Sequence, residues 1–144
     1  MKTKPNILFL CTGNSCRSQI AEGLMKHLSM NRFNVFSAGT TPSKINIHAI
    51  KVMDELSIDI RNQKSDSVDL FLEKPFNFVV TVCNDARNNC PIFPGSGKKL
   101  HWPIEDPFSG WDYDQKQLIN FRKTRDSIKI KIDLFLDTWR VQND

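Results

Sequence analysis

Long apolar runs are missing from this sequence. No stretch approaches the ~20 residues needed to cross a bilayer. The apolar part of the first segment, Ile7 to Leu10, is shorter than the ~7–15 residues of a signal-peptide core, so a buried strand fits it better and a cytoplasmic protein is expected. Cysteine is sparse, with only Cys11, Cys16, Cys83 and Cys90. Without a secretion signal, so few thiols argue against a structural disulfide framework and toward metal binding or catalysis. Their spacings, C-x4-C and C-x6-C, lack the C-x2-C knuckle of common structural zinc sites, and no metal is expected. Charge of one sign is weak as well. The net charge is +4, with Lys and Arg scattered among Asp and Glu, so no basic stripe marks a nucleic-acid surface. Repeats, low-complexity tracts and linkers are absent, and tyrosine occurs once, at Tyr113.

What remains is an ordinary globular composition. The 144 residues suit one domain, 1–144, around one core. Asn6 to Leu10 reads as a buried strand ending in a Gly-containing turn. Ile20, Leu24 and Leu28 then recur at helical spacing, with Ala21 and Met25 beside them. Phe33 to Phe36 is a second strand, closed by Ser37-Ala38-Gly39. Asn46 to Leu56 is helical, with Ala49, Ile50, Met53 and Leu56 on one face. Phe76 to Val82 is the strongest strand, β-branched and aromatic. Lys99 to Ile104 is a weaker fourth strand, and Asp114 to Val141 is one long helix carrying Leu118, Phe121, Ile128, Ile132, Phe135 and Trp139 at a spacing of three or four. Strands alternating with helices predict an α/β fold with a parallel sheet.

The densest chemistry lies between the first strand and the first helix, in Cys11-Thr12-Gly13-Asn14-Ser15-Cys16-Arg17-Ser18. A loop entering a helix N-terminus aims several backbone N–H groups at one spot, and the helix dipole adds partial positive charge. Gly13 and Asn14 are the residue types that most easily accept the left-handed backbone angles of a loop curled around an anion. Arg17 offers a planar pair of donors to two oxygens of a tetrahedral anion. The same positive surroundings favour the thiolate of Cys11, the reactive form, and Ser18 can donate a further hydrogen bond to it. Taken alone, Cys11 would be a core cysteine. With Arg17, Asn14 and Gly13 in a strand-to-helix loop, it reads as a nucleophile at the C-terminal edge of a sheet, where open α/β sheets bind ligands. Cys16 reads as a packing residue whose backbone helps form the loop.

Two later segments can join this site. Cys83 follows the strongest strand and so falls on the same sheet edge as Cys11. Cys83 and Cys90 are either two unrelated buried cysteines or a redox pair. If residues 83–90 were helical, seven steps would separate the two Cα atoms by ~10 Å, whereas a disulfide needs roughly 7 Å or less. A Cys83–Cys90 bond would therefore require the segment to unwind, for which Asn84-Asp85 and Asn88-Asn89 are suited. Asp106-Pro107 is either an ordinary turn or a proton donor on a stiffened loop. Expulsion of hydroxide or alkoxide needs such a donor, and a carboxyl group set against a bound anion is favoured in its protonated form. Glu105 is expected to point away. His27, His48 and His101 stand apart as surface or structural residues, and Trp102, Trp111 and Trp139 as core or partly buried packing.

The loop motif, together with Ser37-Ala38-Gly39 and Asp106-Pro107, resembles the low-molecular-weight protein tyrosine phosphatase superfamily over nearly the whole chain. That resemblance implies a four-stranded parallel sheet in order 2-1-3-4 flanked by helices. Val82-Cys83-x-Asp85-Ala86-x-x-Asn89-Cys90-Pro91, with Ser15 and Gln19, is similar to the thioredoxin-coupled arsenate reductases within the superfamily. Phosphatases of this fold typically carry aromatic residues, often a Tyr pair, directly after Asp-Pro; here Phe108-Ser109 follow. The implied activity is reduction of arsenate. Cys11 attacks the oxyanion, Arg17 and the backbone of Thr12, Gly13, Asn14, Ser15 and Cys16 hold it, and Asp106 protonates the leaving oxygen. Cys83 and then Cys90 carry the disulfide to thioredoxin. The implied protein is a monomer without an organic or metal cofactor, and phosphate or sulfate compete for the site. The alternatives are a phosphatase acting on phosphotyrosine or small phosphoesters, and a redox-sensing or anion-binding protein. Some reductases of this family hold potassium with residues matching Asn14, Glu22, Ser37 and Asp66. The position of Lys64 is commonly a small hydroxyl residue there, so potassium-independent activity is expected here.

Overall fold

The computed structural model describes residues 3–83 and 92–143. Within them the chain runs β1 (Asn6–Cys11), α1 (Arg17–Leu28), β2 (Asn34–Gly39), α2 (Ile47–Asp54), β3 (Phe78–Thr81), β4 (Lys98–His101) and α3 (Leu118–Asn143), with short 3-10 turns at Val68–Phe71 and Gln115–Gln117. The strands form one sheet in the order β2-β1-β3-β4, and every pair is parallel. This is the expected α/β architecture.

β1 is apolar at each position from Ile7 to Cys11 because both its faces are covered. Successive side chains point to opposite faces. Ile7, Phe9 and Cys11, with Val80 and Val82 from the β3 segment, pack against the helices. Leu8, Leu10 and Val79 face the other way, onto Phe76, Phe93, Phe36 and the 3-10 turn residues Val68 and Phe71. β4 lies at the edge and leaves Lys98, Lys99 and His101 exposed, the polar composition that discourages further strand pairing. α1 buries Ile20, Ala21, Leu24 and Met25, and α3 buries Phe121, Ile128, Ile132 and Leu136 against it and α2. Phe135 and Trp139 close the lower end around Phe33, with the Trp139 ring 4.7 Å from it.

Element ends differ from the sequence reading where tertiary pairing decides them. Ser37-Ala38-Gly39, expected to close the second strand, instead continues β2, because the ladder with β1 extends to Cys11 opposite Gly39. β4 stops at His101 rather than Ile104. Trp102 still donates to Thr81 O at 2.8 Å, but Pro103 has no N–H to continue the ladder. α3 starts at Leu118, after a 3-10 turn capped by the Asp114 side chain, which accepts from Lys116 N. Asn46 caps α2 in the same way, accepting from His48 N. Among the described residues, no helix is long and apolar enough to cross a membrane.

Candidate active site

The strand order turns back between β1 and β3: β1 passes to β2 on one side, while β3 and β4 lie on the other. The crevice beyond the C-terminal ends of such neighbours is where open α/β sheets accept ligands. Cys11 ends β1, and Cys83 lies just past β3, after Val82, which donates from its N–H to Leu10 O at 2.9 Å. The fold therefore brings Cys11 and Cys83 to one cavity of about 380 Å³, with Thr12, Gly13, Ser15, Cys16 and Arg17 along one wall and Asp106 on another.

The loop between β1 and α1 is held from outside by its carbonyls. Thr41 N donates to Thr12 O at 2.9 Å, Ser43 N to Gly13 O at 3.1 Å and Asn46 N to Ser15 O at 3.0 Å. In a planar trans peptide the N–H opposes the C=O, so the amides of Gly13, Asn14 and Cys16 turn toward the concave side. Asn14 N illustrates this by donating to Cys11 Sγ at 3.3 Å. Asn14 takes the left-handed conformation expected of it, with φ of 47°. Gly13 does not, and a Cβ there would meet nothing nearer than 3.5 Å, so the expectation that both residues supply left-handed angles is corrected. The glycine that the loop requires is Gly39 in β2, where a Cβ would lie 2.5 Å from Thr12 O and 2.9 Å from Asn14 N.

Around the sulfur, Ser18 Oγ lies 2.8 Å from Cys11 Sγ and 2.7 Å from Asn14 Oδ1. Its single proton can serve one of them at a time. A thiolate at Cys11 draws that proton, whereas a protonated thiol leaves it with Asn14. Asn14 is fully buried, and its carbonyl accepts from Gln19 Nε2 at 3.0 Å. Cys16 is buried beside the loop, and burial pushes its thiol up to about 12, which suits packing rather than attack. Arg17 is anchored through Nη1, which donates to Ile104 O at 2.9 Å, and its Nη2 lies 3.5 Å from Asp106 Oδ2. Asp106 accepts from Phe108 N at 3.1 Å through its other oxygen. Glu105 lines a neighbouring cavity with Asn120 and Lys123 instead.

Phe108 and Trp111, ring centroids 5.0 Å apart, also line the cavity. The sequence predicts Trp111 as packing. In the structure it is an aromatic wall of the site with Lys44 Nζ 5.0 Å from its ring centre, and its closeness in sequence to Asp106 was the available signal. Cys90 and the Cys83–Cys90 unwinding expectation lie outside the described residues.

Three of the four residues matched to a potassium site, Glu22, Ser37 and Asp66, line a cavity of about 260 Å³ together with Lys26 and Lys64, while Asn14 lies outside its lining. Glu22 accepts from Ser37 Oγ through one oxygen and pairs with Lys26 through the other. A donor set whose carboxylate already holds an ammonium, with a second lysine alongside, does not suit a resident monovalent cation. Among the described residues, no group of three or more His, Cys, Asp or Glu side chains could hold a metal ion.

Comparison with known proteins agrees with this geometry. Residues 6–144 match the family model described as low molecular weight phosphotyrosine protein phosphatase. An arsenate reductase of Staphylococcus aureus strain N315 is 46% identical over 132 residues, covering 92% of this chain and 96% of the relative. A solved structure described as an arsenate reductase in the phosphate binding state superposes with a TM-score of 0.78 at 31% identity, covering 93% of this chain and 98% of that one. Another, an arsenate reductase in the oxidized state, superposes with a TM-score of 0.78 at 30% identity over 94% and 98% of the two chains.

Proposed function

The chain belongs to the low molecular weight phosphotyrosine protein phosphatase family, and on that premise we propose that it reduces arsenate to arsenite through a relay of Cys11, Cys83 and Cys90. The observation that carries this reading is the presence of Cys83 in the same cavity as Cys11, Arg17 and Asp106. Hydrolysis of a phosphoester needs a nucleophile, an anion clamp and an acid, and a second thiol there would be surplus. The 46% identity with an arsenate reductase supports the same choice.

In the proposed sequence the Cys11 thiolate attacks arsenic, forming an S–As bond. Asp106 gives its proton to the departing oxygen, which leaves as water. Loop amides and Arg17 hold the charge of the anion throughout. The Cys83 thiolate then attacks Cys11 Sγ. The electron pair of the S–As bond passes to arsenic, which leaves as arsenite, and a Cys11–Cys83 disulfide remains. Cys90 attacks Cys83 and restores the Cys11 thiol, and thioredoxin reduces the Cys83–Cys90 disulfide. Thioredoxin as the reductant rests on the sequence resemblance of the 82–91 segment.

The aromatic pair Phe108 and Trp111 at the cavity supports a second reading, hydrolysis of aryl phosphoesters on the same loop. A coupled assay with arsenate, thioredoxin, thioredoxin reductase and NADPH separates the two. Reduction predicts arsenate-dependent NADPH consumption by the wild type that is lost in both Cys83→Ser and Cys90→Ser. No consumption by the wild type, with phosphoester hydrolysis intact in both variants, would leave the phosphatase.

A further inference from the structure

We infer that Asn46 and His48 are positioning residues that set the acid-bearing loop over the oxyanion cradle. The inference rests on the assignment of Asp106 as proton donor. From Trp102 to Asp114 the chain contains no helix or strand, so the place of Asp106 depends on side-chain anchors. One is Arg17, through Ile104 O and the Asp106 carboxylate. A second, Gln117 Nε2 on Ser109 O, is long at 3.4 Å. Two more come from one point at the start of α2. Asn46 Nδ2 donates to Gly110 O at 3.2 Å, and His48 Nε2 accepts from Asp114 N at 2.9 Å.

That point is itself fixed to the cradle. Asn46 N donates to Ser15 O, so one residue holds the anion loop with its backbone and the acid loop with its side chain. Asn46 Oδ1 lies 2.7 Å from His48 Nδ1. Because Nε2 accepts a hydrogen bond, the proton of the neutral ring sits on Nδ1 and is donated to Asn46. Both residues are fully buried. The ring stacks on Tyr113 at 5.5 Å and meets Phe121 at 5.2 Å, which fixes its plane. Neither residue lines the reaction cavity. Their effect must therefore pass through Asp106, whose misplacement by about an ångström can slow proton transfer by orders of magnitude.

The test compares His48→Phe, which keeps a flat ring without nitrogens, with His48→Gln, which keeps an acceptor able to reach Asp114 N. Each is made alone and with Asp106→Asn. The readouts are single-turnover arsenite release, phenyl phosphate hydrolysis and competitive phosphate affinity, with thermal melts confirming folding. His48→Phe is expected to slow whichever reaction the wild type performs by about tenfold or more, and His48→Gln to restore most of it. Phosphate affinity is expected to stay within about twofold, and His48→Phe to change the rate by less than about twofold once Asp106 is Asn, because the two act as one unit. Equal slowing in both backgrounds, or a matching loss of phosphate affinity, would overturn the proposal. Asp106→Asn without effect would remove the acid assignment and the clamp with it. A wild type that hydrolyses phenyl phosphate but releases no arsenite would defeat the reductase reading alone, leaving the clamp to be judged on hydrolysis.

Discussion

The hydroxyl of Ser18, on the first turn of α1, lies 2.8 Å from the sulfur of Cys11 at the end of β1. In the proposed relay the strand delivers the attacking sulfur and the helix delivers a hydroxyl placed to donate to it. A hydrogen bond to a charged partner contributes roughly 1.5–3 kcal/mol. Ser18→Ala is therefore expected to slow arsenite release by about tenfold or more. It should slow alkylation of Cys11 by iodoacetamide at neutral pH in parallel, while leaving the fold intact. Unchanged alkylation would show that the amides alone steady the sulfur.

Gly39 gives a steric prediction. A methyl group there would press on backbone atoms of Thr12 and Asn14, which cannot rotate away as a side-chain tip can. Gly39→Ala is expected to cost about 1–3 kcal/mol in stability and to weaken phosphate binding by about tenfold, because the amides lose their common focus. Gly13→Ala, with no contact nearer than 3.5 Å, should be the milder of the two. Melting temperatures and phosphate competition compare them, and equal effects would contradict this account of the loop.

Outside the lining of the site cavity, Glu55 joins the end of α2 to α3. The hydrogen bond from Arg122, aided by Arg125, holds its carboxyl below the ordinary range. A group depressed in the folded state stabilises fully above its unfolded value, about 4.3, and loses that contribution as pH falls through the folded value. Over a third of the side chain remains in solvent, so screening limits the effect to about 1 kcal/mol or less. Glu55→Gln should thus lower stability at neutral pH and converge with the wild type in strong acid. Denaturant titrations across pH measure the difference, and a constant offset would count against the ion-pair origin.

Lys26 and Lys64 at the cavity around Glu22 predict that potassium has little effect. Replacing sodium with potassium at constant ionic strength should alter turnover by less than about twofold, since neither ion displaces an ammonium already paired at close range. A large acceleration specific to potassium would contradict it.

Sequence made the local features plain and left the assembled ones hidden. The run from Asn6 to Arg17 announces a strand, a turn and an anion loop because each signal sits within a few residues. Left-handed Asn14 was legible for that reason. The continuation of β2 through Gly39 was not, since it depends on pairing with Cys11 across the sheet. Nor was the closeness of Gly39 to Thr12, which follows from the same pairing. His48 was legible only as structural. Its partner Asp114 is 66 residues away, and no local pattern joins them. The cavity-lining place of Trp111 was not legible either, because an aromatic residue in a loop has the same composition signal whether it lines a cavity or fills one.

In the proposed relay Cys11 attacks the bound anion and Cys83 then attacks the sulfur of Cys11. The most direct measurement of this relay is a single turnover: the fully reduced protein is mixed with arsenate in the absence of any reductant, released arsenite is counted, and the disulfides are mapped by peptide mass. The wild type should release about one arsenite per chain and end with a Cys83–Cys90 bond, and Cys90→Ser should release a similar amount and stop at Cys11–Cys83. Arsenite release from Cys83→Ser at the wild-type rate, or a Cys90→Ser protein with Cys11 and Cys83 both still reduced after release, would contradict the relay.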